Sequence, residues 1–133
     1  MQRLFIVVVF LIGLTAAASA ADISPGQVWK SSNSGSILKI TSVDRRGNFQ
    51  GTFTDNTAGT PCLGMPYPAS GSSFGPMAKF TVNFVKCRAT KSWQGNALYG
   101  AWVAPWVMQY IDPNGKPATS YGFDDFFIVG QRH

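Results

Sequence analysis

The run from Thr90 to Tyr110 constrains the chain more than any other. It holds three of the four tryptophans, Trp93, Trp102 and Trp106. On a strand, residues two apart share a face, so Trp102 and Trp106 point the same way, with Ala104 between them and Met108 beyond. Tyr99-Gly100 reads as the turn of a hairpin, which sets Trp93 and Trp106 on neighbouring strands. Large flat side chains facing one space make either a solid core or a box around a small ligand.

The remaining sequence reads as strand and turn. Glutamate is absent and all six acidic residues are Asp. Gly, Pro, Ser, Thr and aromatic residues abound, a composition that disfavours helices. A first strand begins at Gly26-Gln27-Val28-Trp29, followed by a polar turn, Ser31 to Gly35. Strands over Ser36–Val43 and Phe49–Thr54 flank the tight turn Asp44–Asn48. Leu63–Ala69 contains Pro66 and Pro68 and is expected to be a short or bulged strand. Ser70–Pro76 reads as a turn cluster. Ala78–Phe84 alternates cleanly, with Phe80, Val82 and Phe84 on one face. After the hairpin come a turn at Asp112–Pro117 and a last strand, Gly122–Val129. About eight strands in sequence, joined by short connections, predict an all-β fold, an eight-stranded antiparallel up-and-down β-barrel. Such a barrel has room inside for side chains or one small ligand.

The N-terminal residues read as an export signal. Met1-Gln2-Arg3 is basic, Leu4 to Ala16 is almost wholly apolar, and Ala18-Ser19-Ala20 is a small-x-small cleavage site. The expectation is a signal peptide over 1–20, one barrel domain over 21–133, and a secreted or periplasmic product with no membrane span in its mature form. The formal charge of +5 comes from scattered residues, with no basic run of the kind that tracks phosphates, so nucleic acid is not an expected partner. Two cysteines, Cys62 and Cys87, in an exported chain predict a disulfide. Two thiols and a terminal His133 are too few for zinc, and no metal is expected. No cysteine–histidine or serine–histidine constellation points to an enzyme. Asp124 and Asp125 are neighbours on a strand and point apart, so they do not form a hydrolytic pair.

An ordered set of residues carries a resemblance. Gly26-x-x-Trp29, Gly35-Ser36, Gly47-x-Phe49-x-Gly51-Thr52-Phe53, Phe80-Thr81-Val82-x-Phe84, Trp93-x-Gly95, Trp106 and Gly122-x-Asp124-x-Phe126 together resemble the avidin and streptavidin family, over nearly the whole mature chain. Gly59-Thr60-Pro61-Cys62, Pro66-Tyr67-Pro68 and the placing of Cys87 are most similar to the short dimeric, rhizavidin-like bacterial avidins. The resemblance implies a barrel that binds biotin at one open end without other cofactors, a homodimer, and a Cys62–Cys87 bridge steadying loops at the mouth.

It also implies roles. Ser36 would hydrogen-bond the ureido oxygen of biotin. Phe53 stands where the family usually has a tyrosine donor. Asp55 and Asp124 would accept from the two ureido N–H groups. Trp93, Trp106 and Phe84 would be aromatic walls. The family's ureido-binding asparagine aligns with Ser32, next to Asn33. Its Ser-x-Thr pair aligns with Ala89 and Lys91, an awkward match. A β-bulge before Trp93 would present Thr90 and Ser92 instead and send Lys91 to solvent. The bulge is the expectation, because it keeps both polar groups and Trp93 in use. Three functions stay open at this point: a biotin binder, an avidin-like barrel whose pocket has drifted to another small ligand, and a secreted β-barrel inhibitor of an extracellular enzyme.

Overall fold

Period-two alternation runs through almost every strand and gives the sheet one apolar face, which the closed barrel turns inward. The computed structural model describes residues 20–60 and 62–130. All of the expected signal peptide but Ala20, together with Pro61 and His133, lies outside the described residues. The strands are β1 (Val28–Ser31), β2 (Ile37–Val43), β3 (Asn48–Thr54), β4 (Pro66–Phe74), β5 (Met77–Phe84), β6 (Ala89–Leu98), β7 (Ala101–Ile111) and β8 (Pro117–Ile128), with a single 3₁₀ turn at Val85–Cys87. They form a closed barrel in sequence order. Every neighbouring pair is antiparallel, and β8 returns to β1 through Trp29↔Ile128 and Ser31↔Phe126. The expected eight-stranded up-and-down barrel is the fold.

The interior is built in layers. At one end Trp29 and Trp102 meet edge to face, 5.5 Å between centroids, among buried Leu38, Ile40, Phe49 and Phe126. The N-terminal segment caps this end. Ala21 N–H donates to Gly75 O, Asp22 N–H to Ala97 O, and Asp22 Oδ2 accepts Gly100 N–H. One layer up, Phe80 and Trp93 stack at 4.3 Å with their planes 8° apart, and Phe53 leans on Trp93 at 4.6 Å. These rings fill the barrel axis, so ligand space can exist only above them, at the other end.

Three local expectations need correction. Ser70–Ser73 is not a turn: β4 runs straight through it, and the reversal falls between Phe74 and Met77. Position 71 falls on the inner face after Tyr67 and Ala69, and it is glycine because any Cβ there would lie 2.2 Å from the Phe49 ring. The serines on either side take the outer face. β8 starts at Pro117 rather than Gly122, pairing with Ile111 from its first residue. The register shift in the sheet lies in β2, between Ile40 and Ser42, not before Trp93.

Candidate functional site

The four loops at the open end surround a set of buried polar side chains. Asp124 lies on β8 opposite Ala104, whose small side chain leaves room for it, and is 2% exposed. Its Oδ1 accepts from Ser31 Oγ at 2.7 Å and from Ser34 Oγ at 2.9 Å. Its Oδ2 accepts the Trp93 indole N–H at 2.7 Å. Bonds to a carboxylate in a dry site are of the strong kind. Each carboxylate oxygen can accept two bonds, so one acceptor site on Oδ2 is still open.

Ser36, 1% exposed, links this carboxylate to a second. Its Oγ accepts Asn56 N–H at 3.0 Å, lies 3.0 Å from Ser34 Oγ and donates to Asp55 Oδ1 at 3.3 Å. Asp55 is buried just past the end of β3, and its Oδ1 also accepts Thr57 N–H at 2.8 Å. The structure therefore brings Ser36, Asp55, Asp124 and Trp93 together, as the sequence suggests. Trp106 pairs with Trp93 across β6 and β7, and its ring lies over Gly122, where a Cβ would come within 2.3 Å of it. Phe84 stands above Phe53 at 6.1 Å and packs edge to face with Tyr67. Phe53 is fully buried and offers no hydroxyl.

Other expected residues fall elsewhere. Ser32 is exposed, and its N–H donates to Asp125 O at 2.8 Å. Asn33 fastens the β1–β2 loop to β8 from outside: its Nδ2 donates to Phe123 O and its Oδ1 accepts Asp125 N–H. Ser31 and Ser34 supply the hydroxyls in their place. Alternation from Trp29 points Ser31 inward, a signal present in the sequence; Ser34 has none, because a loop decides its aim.

Thr90 and Ser92 also leave the pocket. β6 runs without a bulge from Ala89 to Trp93, with Lys91 opposite Val82 on β5 and Met108 on β7. Ser92 faces outward, its Oγ 2.9 Å from Thr81 Oγ1. The interruption in β6–β7 pairing comes after Trp93, where Gly95 and Pro105 sit. Pro105 has no N–H to give. Lys91 therefore points into the barrel and is 4% exposed. Its Nζ rests 4.0 Å from the centroid of Trp106 and 4.9 Å from that of Trp93, within cation–π range. Burial pushes the ammonium below the usual lysine range, and the charges of Asp55 and Asp124 oppose that shift.

The open end holds a cavity of about 430 Å³, lined by Asp55, Phe84, Cys87, Ala89, Met108 and Tyr110, among others. Ser36, Lys91, Trp93 and Asp124 are not among its walls. Along β6 the inward positions run from Ala89, which lines the cavity, through Lys91 to Trp93. Lys91 therefore lies between the mouth and the indole that holds Asp124. The Cys62–Cys87 disulfide forms one side of the mouth, Cα–Cα 6.0 Å. A wider groove of about 720 Å³ crosses the outer surface of β4 to β8, but none of the buried charged groups reaches it.

Residues 19–126 match the model of the Avidin family. The chain belongs to the avidin family. Among solved structures it is similar to a bradavidin2–biotin complex, at 36% identity over 80% of this chain and 99% of that one, TM-score 0.76. It is similar to a rhizavidin–biotin complex at 31% identity over 83% and 96%, TM-score 0.72, and to apo shwanavidin at 26% over 81% and 98%, TM-score 0.65. Curated protein sequences gave no match. The likeness is thus to the short bacterial avidins, and this avidin is a non-catalytic protein. Its polar set holds the two carboxylates that the resemblance names, Asp55 and Asp124, and beside them the buried Lys91 ammonium.

Proposed function

We propose that this avidin binds biotin or a close bicyclic relative at the open end of the barrel. The observation that carries the reading is Asp124, buried, oriented by Trp93, Ser31 and Ser34, and still able to accept one more bond. Ser36 stands beside it for a ureido oxygen, and the bradavidin2 and rhizavidin structures are biotin complexes. For biotin to reach Asp124, Lys91 must swing toward the mouth, where the 430 Å³ cavity can take its stem. The lysine favours a second reading, a pocket adapted to a different small ligand. Isothermal titration of the purified mature protein with biotin tests the first: saturable one-to-one binding is expected, and none at millimolar biotin would overturn it.

Export and self-association belong to the same reading. The basic, apolar and small-residue sequence over 1–20 supports secretion. Exposed Val103 on β7 and Tyr121 and Phe123 on β8 support a homodimer through the outer face of these strands. Sedimentation of the mature protein at micromolar concentration should give twice the mass of the chain.

A further inference from the structure

The deep chamber is matched to a cation more than to a neutral urea. Its fixed groups are mostly acceptors: two carboxylates, Asp55 and Asp124, 4% and 2% exposed. The indole N–H of Trp93 is already committed to Asp124, and the Asn56 N–H to Ser36. Phe53, packed against Trp93 at 4.6 Å, donates nothing. The hydroxyls of Ser31, Ser34 and Ser36 can turn to donate or accept, and all three already lie against acceptors. A ureido group presents an oxygen that needs donors, and this chamber has few. Between the faces of Trp93 and Trp106 it holds a donor-only cation of its own, the Lys91 ammonium. Expelling that ammonium in favour of a neutral ligand leaves two buried carboxylates without counter-charge, a costly state.

We propose that the chamber is a receptor for a planar, donor-only monocation, a cyclic guanidinium or amidinium, whose place the Lys91 ammonium holds. The proposal rests on the reading of the open end as the ligand site and replaces the neutral ring with a charged one. A guanidinium can give N–H groups to Asp55 and Asp124 together, turn a third N–H to Ser36 or Ser34, and lie flat against the indoles, as Arg does on Trp. It restores the charge balance that the displaced lysine removes.

The test is titration calorimetry at pH 7 of the mature protein with biotin and with 2-iminobiotin, its cyclic guanidinium analogue, which is cationic at that pH. The guanidinium should bind at least tenfold more tightly than biotin. Asp55→Asn, which removes one charge and keeps an acceptor, should reverse that preference. Lys91→Met, which removes the resident cation and keeps a side chain of similar length, should tighten the guanidinium by more than tenfold. Folding of each variant is checked by circular dichroism, and methylguanidinium binding to Lys91→Met by tryptophan fluorescence serves as a ring-free probe. Biotin binding more tightly than its analogue in wild type and Lys91→Met overturns the proposal and leaves biotin binding standing. Guanidinium binding without biotin binding upholds the proposal and overturns the biotin reading. Binding of neither ligand to folded protein overturns both.

Discussion

At the scale of single residues, the buried charges are where this barrel departs most from a plain aromatic core. Asp124 serves three donors at once. Asp124→Ala would leave the Trp93 N–H buried with no acceptor, while the Ser31 and Ser34 hydroxyls would turn to Asn33 Oδ1 and Ser36 Oγ. A stranded buried donor costs about 1–3 kcal/mol, so a loss of roughly 2 kcal/mol in urea unfolding is expected, and a loss below about 1 kcal/mol would speak against the network. Lys91 acts in the opposite sense. Its pKa in the fold lies below the ordinary 10.5, chiefly from desolvation, so the unfolded chain binds the proton more readily. In the window between the lowered value and 10.5 the unfolded state carries more protons, and stability rises with pH. Below that window the full penalty of the buried ammonium applies. The difference in unfolding free energy between Lys91→Met and wild type should therefore shrink as pH is raised toward 10.5. A difference constant with pH would mean that the ammonium is not buried in solution. Alternation inward from Trp93 does point Lys91 into the barrel. The expected bulge came from preferring a hydroxyl pair over a buried cation, and two carboxylates and two indole faces tip that balance.

At the scale of elements, strands with one apolar and one polar face were legible almost residue by residue. β5 is the clearest case: Ala78, Phe80, Val82 and Phe84 are buried in strict alternation, as its sequence reads. β4 was legible only in its first half, within the short strand read over Leu63–Ala69; beyond Ala69 its inward Gly71 is small and its outward neighbours are serines. A strand that supplies space rather than bulk has the composition of a turn, and only the Phe49 ring on β3 reveals the reason. Gly71→Ala should be disproportionate for one methyl group. Its Cβ would also lie 2.4 Å from Lys79 O, so both a packed ring and the β5 backbone would have to move. Overpacking of this kind typically costs 1–3 kcal/mol. A lowered urea midpoint with unchanged slope is the expected result. Gly64→Ala, which meets no neighbour within 4 Å but has φ of +77°, separates steric crowding from backbone strain. Its cost should be about 1 kcal/mol.

At the scale of the whole molecule, the barrel is closed and capped at one end and held at the other by loops alone, and there the disulfide matters most. Cys62 lies in the β3–β4 connection and Cys87 in the 3₁₀ turn after β5, 25 positions apart in the sequence. The bond flanks the mouth and leaves the aromatic layers untouched. Its main effect should fall on the unfolded chain, where closing a loop of this length removes conformational freedom worth about 3 kcal/mol. The double variant Cys62→Ser/Cys87→Ser should keep the strand register, since Trp29, Phe80, Trp93 and Trp102 pack without it. It should lose about 3 kcal/mol in urea unfolding. Its denaturant slope should also rise, because an uncrosslinked denatured chain exposes more surface. Ligand affinity should fall separately: Cys87 lines the mouth cavity beside Phe84 and Ala89, and a freed loop must be ordered again on binding. A stability loss with unchanged slope would place the effect of the bond in native packing instead, around Cys62 and the Tyr67 hydroxyl that it touches.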